Sequence, residues 1–211
     1  MLRTLGLLLL DTGRCDEAVA TFQLQRQAEM AIADPDFVGD LFLPVNMARA
    51  LGCAGQGAQA LAELAGAEAG LAALDERSTT YIQLRVGAAH RRAELLLTKG
   101  SPVADPAQGL ALAEEALDLT NRQSASLFDL VIAGHLANGD LGAASQLAHE
   151  AASVPTFTKL PQYYAAIIAA LEQASAGDRA GAAKALRQVG VDPAYRDGPR
   201  NLKRLARWLA D

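Results

Sequence analysis

β-Branched residues are scarce in this 211-residue chain: Val and Ile together number 14, against 45 Ala and 33 Leu. Strands favour β-branched side chains, whereas Ala and Leu lose little rotamer freedom in a helix, so the imbalance argues against a sheet-built fold and predicts an all-α one. Aromatic residues make up only 5% of the chain. That leaves few platforms on which single-stranded nucleic acid could stack, and a core built from Ala instead requires helices that approach closely. No apolar run is long enough for a membrane span or a signal-peptide core; the longest near the start, Leu5 to Leu10, stops at Asp11. Cationic excess is also missing. A net charge of −5 and a pI near 5.2 argue against general affinity for nucleic acid or anionic lipid. Only two cysteines occur, Cys15 and Cys53, with no His or Cys at metal-ligand spacing. This usage suits a reducing compartment, so the sequence reads as cytoplasmic.

What is present is a repeat. An apolar helical stretch, a Gly followed by a short polar link, and an Ala-rich helical stretch recur around Gly13, Gly55, Gly100, Gly139 and Gly177, at spacings of 42, 45, 39 and 38 residues. Each interval accommodates two helices of about four turns. Gly supplies the left-handed residue that ends one helix, and Asp140 or Asp178 after it can cap the next, which forces an antiparallel pair. The first link places Asp16 and Glu17 in the opening turn of its second helix, where the helix dipole favours them. The third link is longer, from Gly100 to Pro106, and reads as the most exposed and variable loop. Asp34-Pro35-Asp36, Ser78 to Thr80, Asn121 to Ser124, Pro155 to Pro161 and Asp192-Pro193 separate the units. Pro44 allows two readings: a helix that begins near Phe42, or one that begins near Phe37 and is kinked. The units run over about 1–34, 36–77, 79–120, 124–154 and 161–191. Residues 199–210 then form an amphipathic capping helix with Leu202, Leu205 and Leu209 inward and Arg200, Lys203, Arg204 and Arg207 outward.

Leu5-Gly6, Leu9, Gly13, Ala18 and Phe22 resemble the signature of the tetratricopeptide repeat family. Ala48, Leu51, Gly55, Ala60, Leu64 and Ala67 continue it, followed by Ala144, Ala148 and Ala151, and then by Ala170, Gly177, Ala182 and Leu186. The units are longer than the family's usual length of about 34 residues, similar to the superhelical regions of bacterial multidomain signalling ATPases and transcription regulators. The resemblance implies a right-handed α-solenoid of about five antiparallel helix pairs, in a single domain over 1–211, closed by the capping helix. It further implies an inner groove lined by the first helix of each pair. Asn46, Arg49, His90, Arg91, Glu94 and Asp129 then fall on that groove, as candidates for binding a protein or peptide of acidic character. Some family members clamp a partner's C-terminal carboxylate; Asn46 and Arg91 match that clamp, but Leu7 and Gly87 fill two other positions, so the clamp is not carried over. The first helix has an uncapped, leucine-rich outer face, where solenoids normally carry a polar cap. Dimerisation through that end, or excision from a longer protein, is the expectation it raises.

Catalytic patterns are missing. His149-Glu150 starts like a zinc-protease helix, but Ser153 stands where the second His belongs. His135 sits in an apolar helix as a packed residue, and Gly52 to Gly57 lacks the Lys-Ser/Thr and preceding strand of a phosphate loop. Cys15 and Cys53 occupy comparable places in successive units, which allows them to lie close together, with free buried thiols as the more common outcome and the expectation here. The sequence therefore predicts no enzyme, cofactor or metal. It predicts an interaction scaffold, with an effector-sensing domain of a bacterial regulator as the alternative and Arg200, Lys203, Arg204 and Arg207 as a basic docking edge.

Overall fold

A computed structural model describes residues 1–32 and 39–210, and in these the chain is helical throughout, with eleven helices and no strand. The chain divides into two compact units, Met1–Leu95 and Leu96–Asp211. No helix among the described residues is long and apolar enough to cross a membrane.

The first unit holds α1 (Leu2–Asp11), α2 (Cys15–Met30), α3 (Leu43–Cys53), α4 (Gly57–Leu71) and α5 (Thr79–Leu96), the last ending at the boundary. Consecutive helices from α1 to α4 pack on one another. Their core is formed by Phe22, Met47, Leu51 and Leu64 with Leu84 and Ala88 of α5. At Gly6 the first two helices approach closely: a Cβ there would lie 2.6 Å from the Phe22 ring. Pro44 sits in the first turn of α3, where it needs no N–H partner, and Phe42 is the N-cap. The helix thus begins near Phe42; the alternative start at Phe37 lies outside the described residues, as does the Asp34-Pro35-Asp36 break.

One expectation is corrected here. Cys15 and Cys53 are not free thiols but form a disulfide across a Cα–Cα distance of 5.5 Å. Cys15 opens α2 and Cys53 closes α3, so both sit beside their glycine links, and the stacking of one hairpin on the next brings the two sulfurs together.

The second unit holds α6 (Pro106–Leu119), α7 (Ala125–Ala137), α8 (Leu141–Ser153), α9 (Pro161–Ser175), α10 (Arg179–Arg187) and α11 (Gly198–Leu209). Consecutive helices pack again, and α11 also folds back onto α7. That placement explains why α7 is apolar on every side: it buries nine of its residues, among them Phe128, Leu130, Val131 and Ile132. At Gly134 a Cβ would come within 3.2 Å of the Leu110 backbone, so α6 and α7 cross closely at a glycine.

All five link glycines have φ between +74° and +99°. At Gly139 the helix closes with a pair of reversed bonds: the Asp140 N–H donates to the His135 carbonyl at 2.9 Å and the Gly139 N–H to Leu136 at 3.1 Å. Asp140 then accepts from the Ala143 N–H at 2.8 Å and starts α8. Asp178 does the same for α10 through Gly181, and Asp105, at the end of the long third link, for α6 through Gln108. Ala18, Ala48, Ala60, Ala144, Ala148 and Ala182 are each at most 1% exposed. A larger side chain at any of them would push its helix outward.

Candidate functional site

In the first unit the expected groove residues lie on α3 and α5. Arg49 reaches back to Asp11 at the end of α1, at 3.3 Å. Arg91 pairs with Glu94 one turn along its own helix, and Glu94 is only 9% exposed. His90 is half-buried. Asn46 is half-buried as well, with an amide nitrogen that is buried and has no hydrogen-bond partner. Each arginine is therefore held by a carboxylate of its own neighbourhood.

Asp129 is placed differently from the sequence expectation and is a correction. It does not line a surface groove: it is 1% exposed, in the middle of α7. The resemblance places it on a groove by its position along the first helix of its pair, but α7 is covered by α6, α8 and α11 and has no open face there. The carboxylate is instead the centre of a polar cluster. Its Oδ2 accepts from the Tyr163 hydroxyl at 2.6 Å, from Tyr195, and from the Asn201 amide at 2.9 Å. The Asn201 amide also donates to the Tyr195 hydroxyl at 3.1 Å. Tyr164 turns its hydroxyl to the Ala125 carbonyl at 3.2 Å. Asp129 Oδ1 is buried without a hydrogen-bond partner. Burial pushes the carboxyl up to about 6, while the hydrogen bonds from Tyr163, Tyr195 and Asn201 pull the other way. Burial, and then the Asp129 charge, raise the three phenols well above their usual range, so they remain donors.

These donors come from α9, α11 and the segment before α11, so one carboxylate fastens three parts of the second unit to α7. The rings reinforce it: Tyr163 meets both Tyr164 and Tyr195 edge-on at 5.2 Å, and Phe157 stacks on Tyr164 at 6.0 Å. Outside this cluster the Tyr195 ring walls an open cleft of about 310 Å³, with Phe157, Leu160, Lys159 and Asp192 around it. The sequence signal for the cluster was a lone Asp in an otherwise apolar helix, together with a Tyr-Tyr pair and one further Tyr in a chain that has only four.

The expected basic edge lies on α11. Leu202, Leu205 and Leu209 are at most 3% exposed, whereas Lys203 and Arg207 are exposed and Arg200 and Arg204 half-buried. Arg200 pairs with Asp197 at 2.9 Å, and Arg204 donates to the Asn201 side-chain oxygen at 3.3 Å. The end of the helix is tied down by two further bonds. The Trp208 indole donates to the Leu97 carbonyl at 3.2 Å, and Lys99, stacked over the Trp208 ring, donates to the Arg207 carbonyl at 3.1 Å. Among the described residues no group of three or more His, Cys, Asp or Glu side chains could hold a metal ion. Compared with family models, curated proteins and solved structures, the chain matches none.

Proposed function

We propose that this chain is a non-enzymatic interaction scaffold: a right-handed α-solenoid of five antiparallel helix pairs, similar to the tetratricopeptide repeat family, that binds a protein partner. The observation that carries this reading is the recurrence of left-handed glycine links between buried-alanine helix crossings at near-regular spacing. Such stacked hairpins present extended surfaces that bind other chains. Asn46, Arg49, His90, Arg91 and Glu94 would supply the polar contacts on α3 and α5. Exposed ion pairs such as Arg49–Asp11 cost little to open, so a partner's carboxylate can replace the internal one.

The test is capture from a lysate of the source organism with the wild-type chain and with an Arg49→Ala/Arg91→Ala variant, read by mass spectrometry. The expected result is a protein retained by the wild type and lost by the variant. Capture that does not differ between the two would remove the groove from the reading.

A second reading, an effector-binding domain, has the cleft beside Tyr195 in its favour. Its volume of about 310 Å³ is at the small end for ligand sites, and it combines aromatic walls with Lys159 and Asp192. A ligand there would quench or shift tyrosine fluorescence, and Lys159→Ala would abolish that response.

A further inference from the structure

Seven arginines, among them Arg26, Arg49, Arg92 and Arg122, are bound to carboxylates, some along their own helix and others on a neighbouring element. The C-terminal hairpin departs from that pattern. Residues 179–210 carry eight Lys and Arg against two Asp, a net charge of +6, while the rest of the chain carries eleven against twenty-two. On α11 the cations Arg200, Lys203, Arg204 and Arg207 fall within an arc of about 100°, opposite the buried Leu202, Leu205 and Leu209. No acidic residue lies within α11 itself, and Asp197 just before it pairs with Arg200. Lys203 and Arg207, one turn apart and exposed, have no ion-pair or hydrogen-bond partner for their charged heads among the described residues. On the adjoining helix α10, Lys184 and Arg187 are likewise exposed and unpaired among the described residues.

We propose that the cationic face of α11 docks an acidic helical segment of a protein partner. The inference rests on the scaffold reading and gives it a second contact surface, distinct from α3 and α5. Charge complementarity names the occupant. Four cations spread over about 10 Å of helix match carboxylates placed at i, i+3 or i+4, and i+7 on a facing helix. A long polyanion fits less well, because beyond this short face the chain is strongly acidic and repels it. A membrane does not fit either, because the leucines that would insert are already buried in the second unit. Arg200 and Arg204 keep their internal bonds to Asp197 and Asn201 and stiffen the face. Lys203 and Arg207 supply the exposed charge.

The experiment uses the full chain and a fluorescein-labelled 18-residue helical peptide with Glu at those spacings, titrated at 50 and 300 mM NaCl. A 20-base-pair duplex DNA and phosphatidylserine vesicles serve as competing probes. Saturable binding of the peptide is expected, weakened at least tenfold by Lys203→Glu/Arg207→Glu and several-fold by Lys203→Gln/Arg207→Gln. Circular dichroism and the melting temperature should be unchanged in both variants, since neither head group is packed. Unaltered affinity in the glutamate variant, or no saturable binding at 50 mM NaCl, overturns the proposal. Tighter binding of the duplex or the vesicles, with the same dependence on Lys203 and Arg207, overturns the assignment to a protein segment. Lysate capture with the glutamate variant separates this inference from its premise: a partner that still binds leaves the scaffold standing and removes only the α11 face.

Discussion

The two units are built from the same helical hairpins and are held together by different chemistry. In the first, Ser78 caps α5 and none of α1 to α4 has a capping side chain, whereas in the second Asp105, Asp140 and Asp178 cap α6, α8 and α10, three of its six helices. All the large apolar side chains that stand exposed among the described residues, including Met1, Leu5, Leu8 and Leu24, belong to the first unit. That unit is tied by a disulfide and by partly exposed ion pairs, while the second is tied by one buried carboxylate and its phenol and amide donors. The difference shows that repeated architecture does not dictate where stability comes from. Hairpins with weak helix starts and open apolar faces rely on a covalent brace; hairpins with capped helices can carry a buried charge.

The sharpest test of this contrast is Asp129→Ala, which leaves the Tyr163 and Tyr195 hydroxyls buried without their acceptor and the Asn201 amide with only the Tyr195 oxygen. Stranding buried donors should cost about 3–5 kcal/mol, and hydrogen exchange should show the loss in α7, α9 and α11 but not in α2 or α3. Equal loosening of both units would mean that they unfold as one cooperative body and that the contrast is only local. The second test is reduction of Cys15–Cys53 by a dithiol. A cross-link spanning 38 residues restricts the unfolded chain, and its removal should lower the stability of the first unit by about 2–4 kcal/mol. The second unit, with no cysteine, should not respond. A reducing compartment would keep the bridge open, so the first unit is the part of the molecule whose stability depends on its surroundings.

How much of this was legible in the sequence depends on the range of the interaction. Helix ends were readable because their chemistry is local: Gly139-Asp140 and Gly177-Asp178 announce a left-handed residue and a cap within two positions, and both are found. The amphipathic α11 was readable for the same reason, since its buried and charged faces follow from spacing alone. Contacts that depend on which hairpin stacks on which were not. The cysteines are 38 residues apart, and their comparable places in successive units allow the sulfurs to meet without requiring it. Asp129 lies 34 residues from Tyr163 and 72 from Asn201, so periodicity could place it on a helix face but not say what covers that face. The apolar sequence around it, from Leu127 to Gly134, was the available hint that this part of the helix had no open face.

A smaller effect separates the units by pH. Burial raises the Asp129 carboxyl from an ordinary value of 3.8 to about 6 in the folded state. A group whose folded value lies above its unfolded one contributes stability fully present below about 4 and lost as the pH rises through about 6. Acidification from pH 7 to pH 5 should therefore stabilise the second unit by roughly 1 kcal/mol, and Asp129→Asn should abolish the gain. In the first unit Glu17 is instead held below its usual range by the hydrogen bond from Arg14, so that contribution fades only on stronger acidification. A first unit that gained equally over this window would break the assignment to Asp129.

The smallest expected effect concerns the ion pairs of the first unit. Arg49 joins α3 to Asp11 of α1, and its side chain is 23% exposed against 34% for Asp11. Arg91 and Glu94 are neighbours on one helix, a geometry that adds only a few tenths of a kcal/mol. Removing Arg49 leaves Asp11, an exposed residue, in water, and Arg91→Ala deletes only a pair within one turn, so each should change the stability of the first unit by less than about 0.5 kcal/mol. This near-neutrality is what makes the two residues useful for binding, since a contact that does little for the fold is free to be exchanged for one with a partner. Glu94, at 9% exposure, is the point where the argument can fail. If Arg91→Ala cost more than about 1 kcal/mol, the loss would reflect a carboxylate left buried and unpaired. The first unit would then hold a buried charge much as the second does, and Arg91 would be part of its fold and no longer available to a partner.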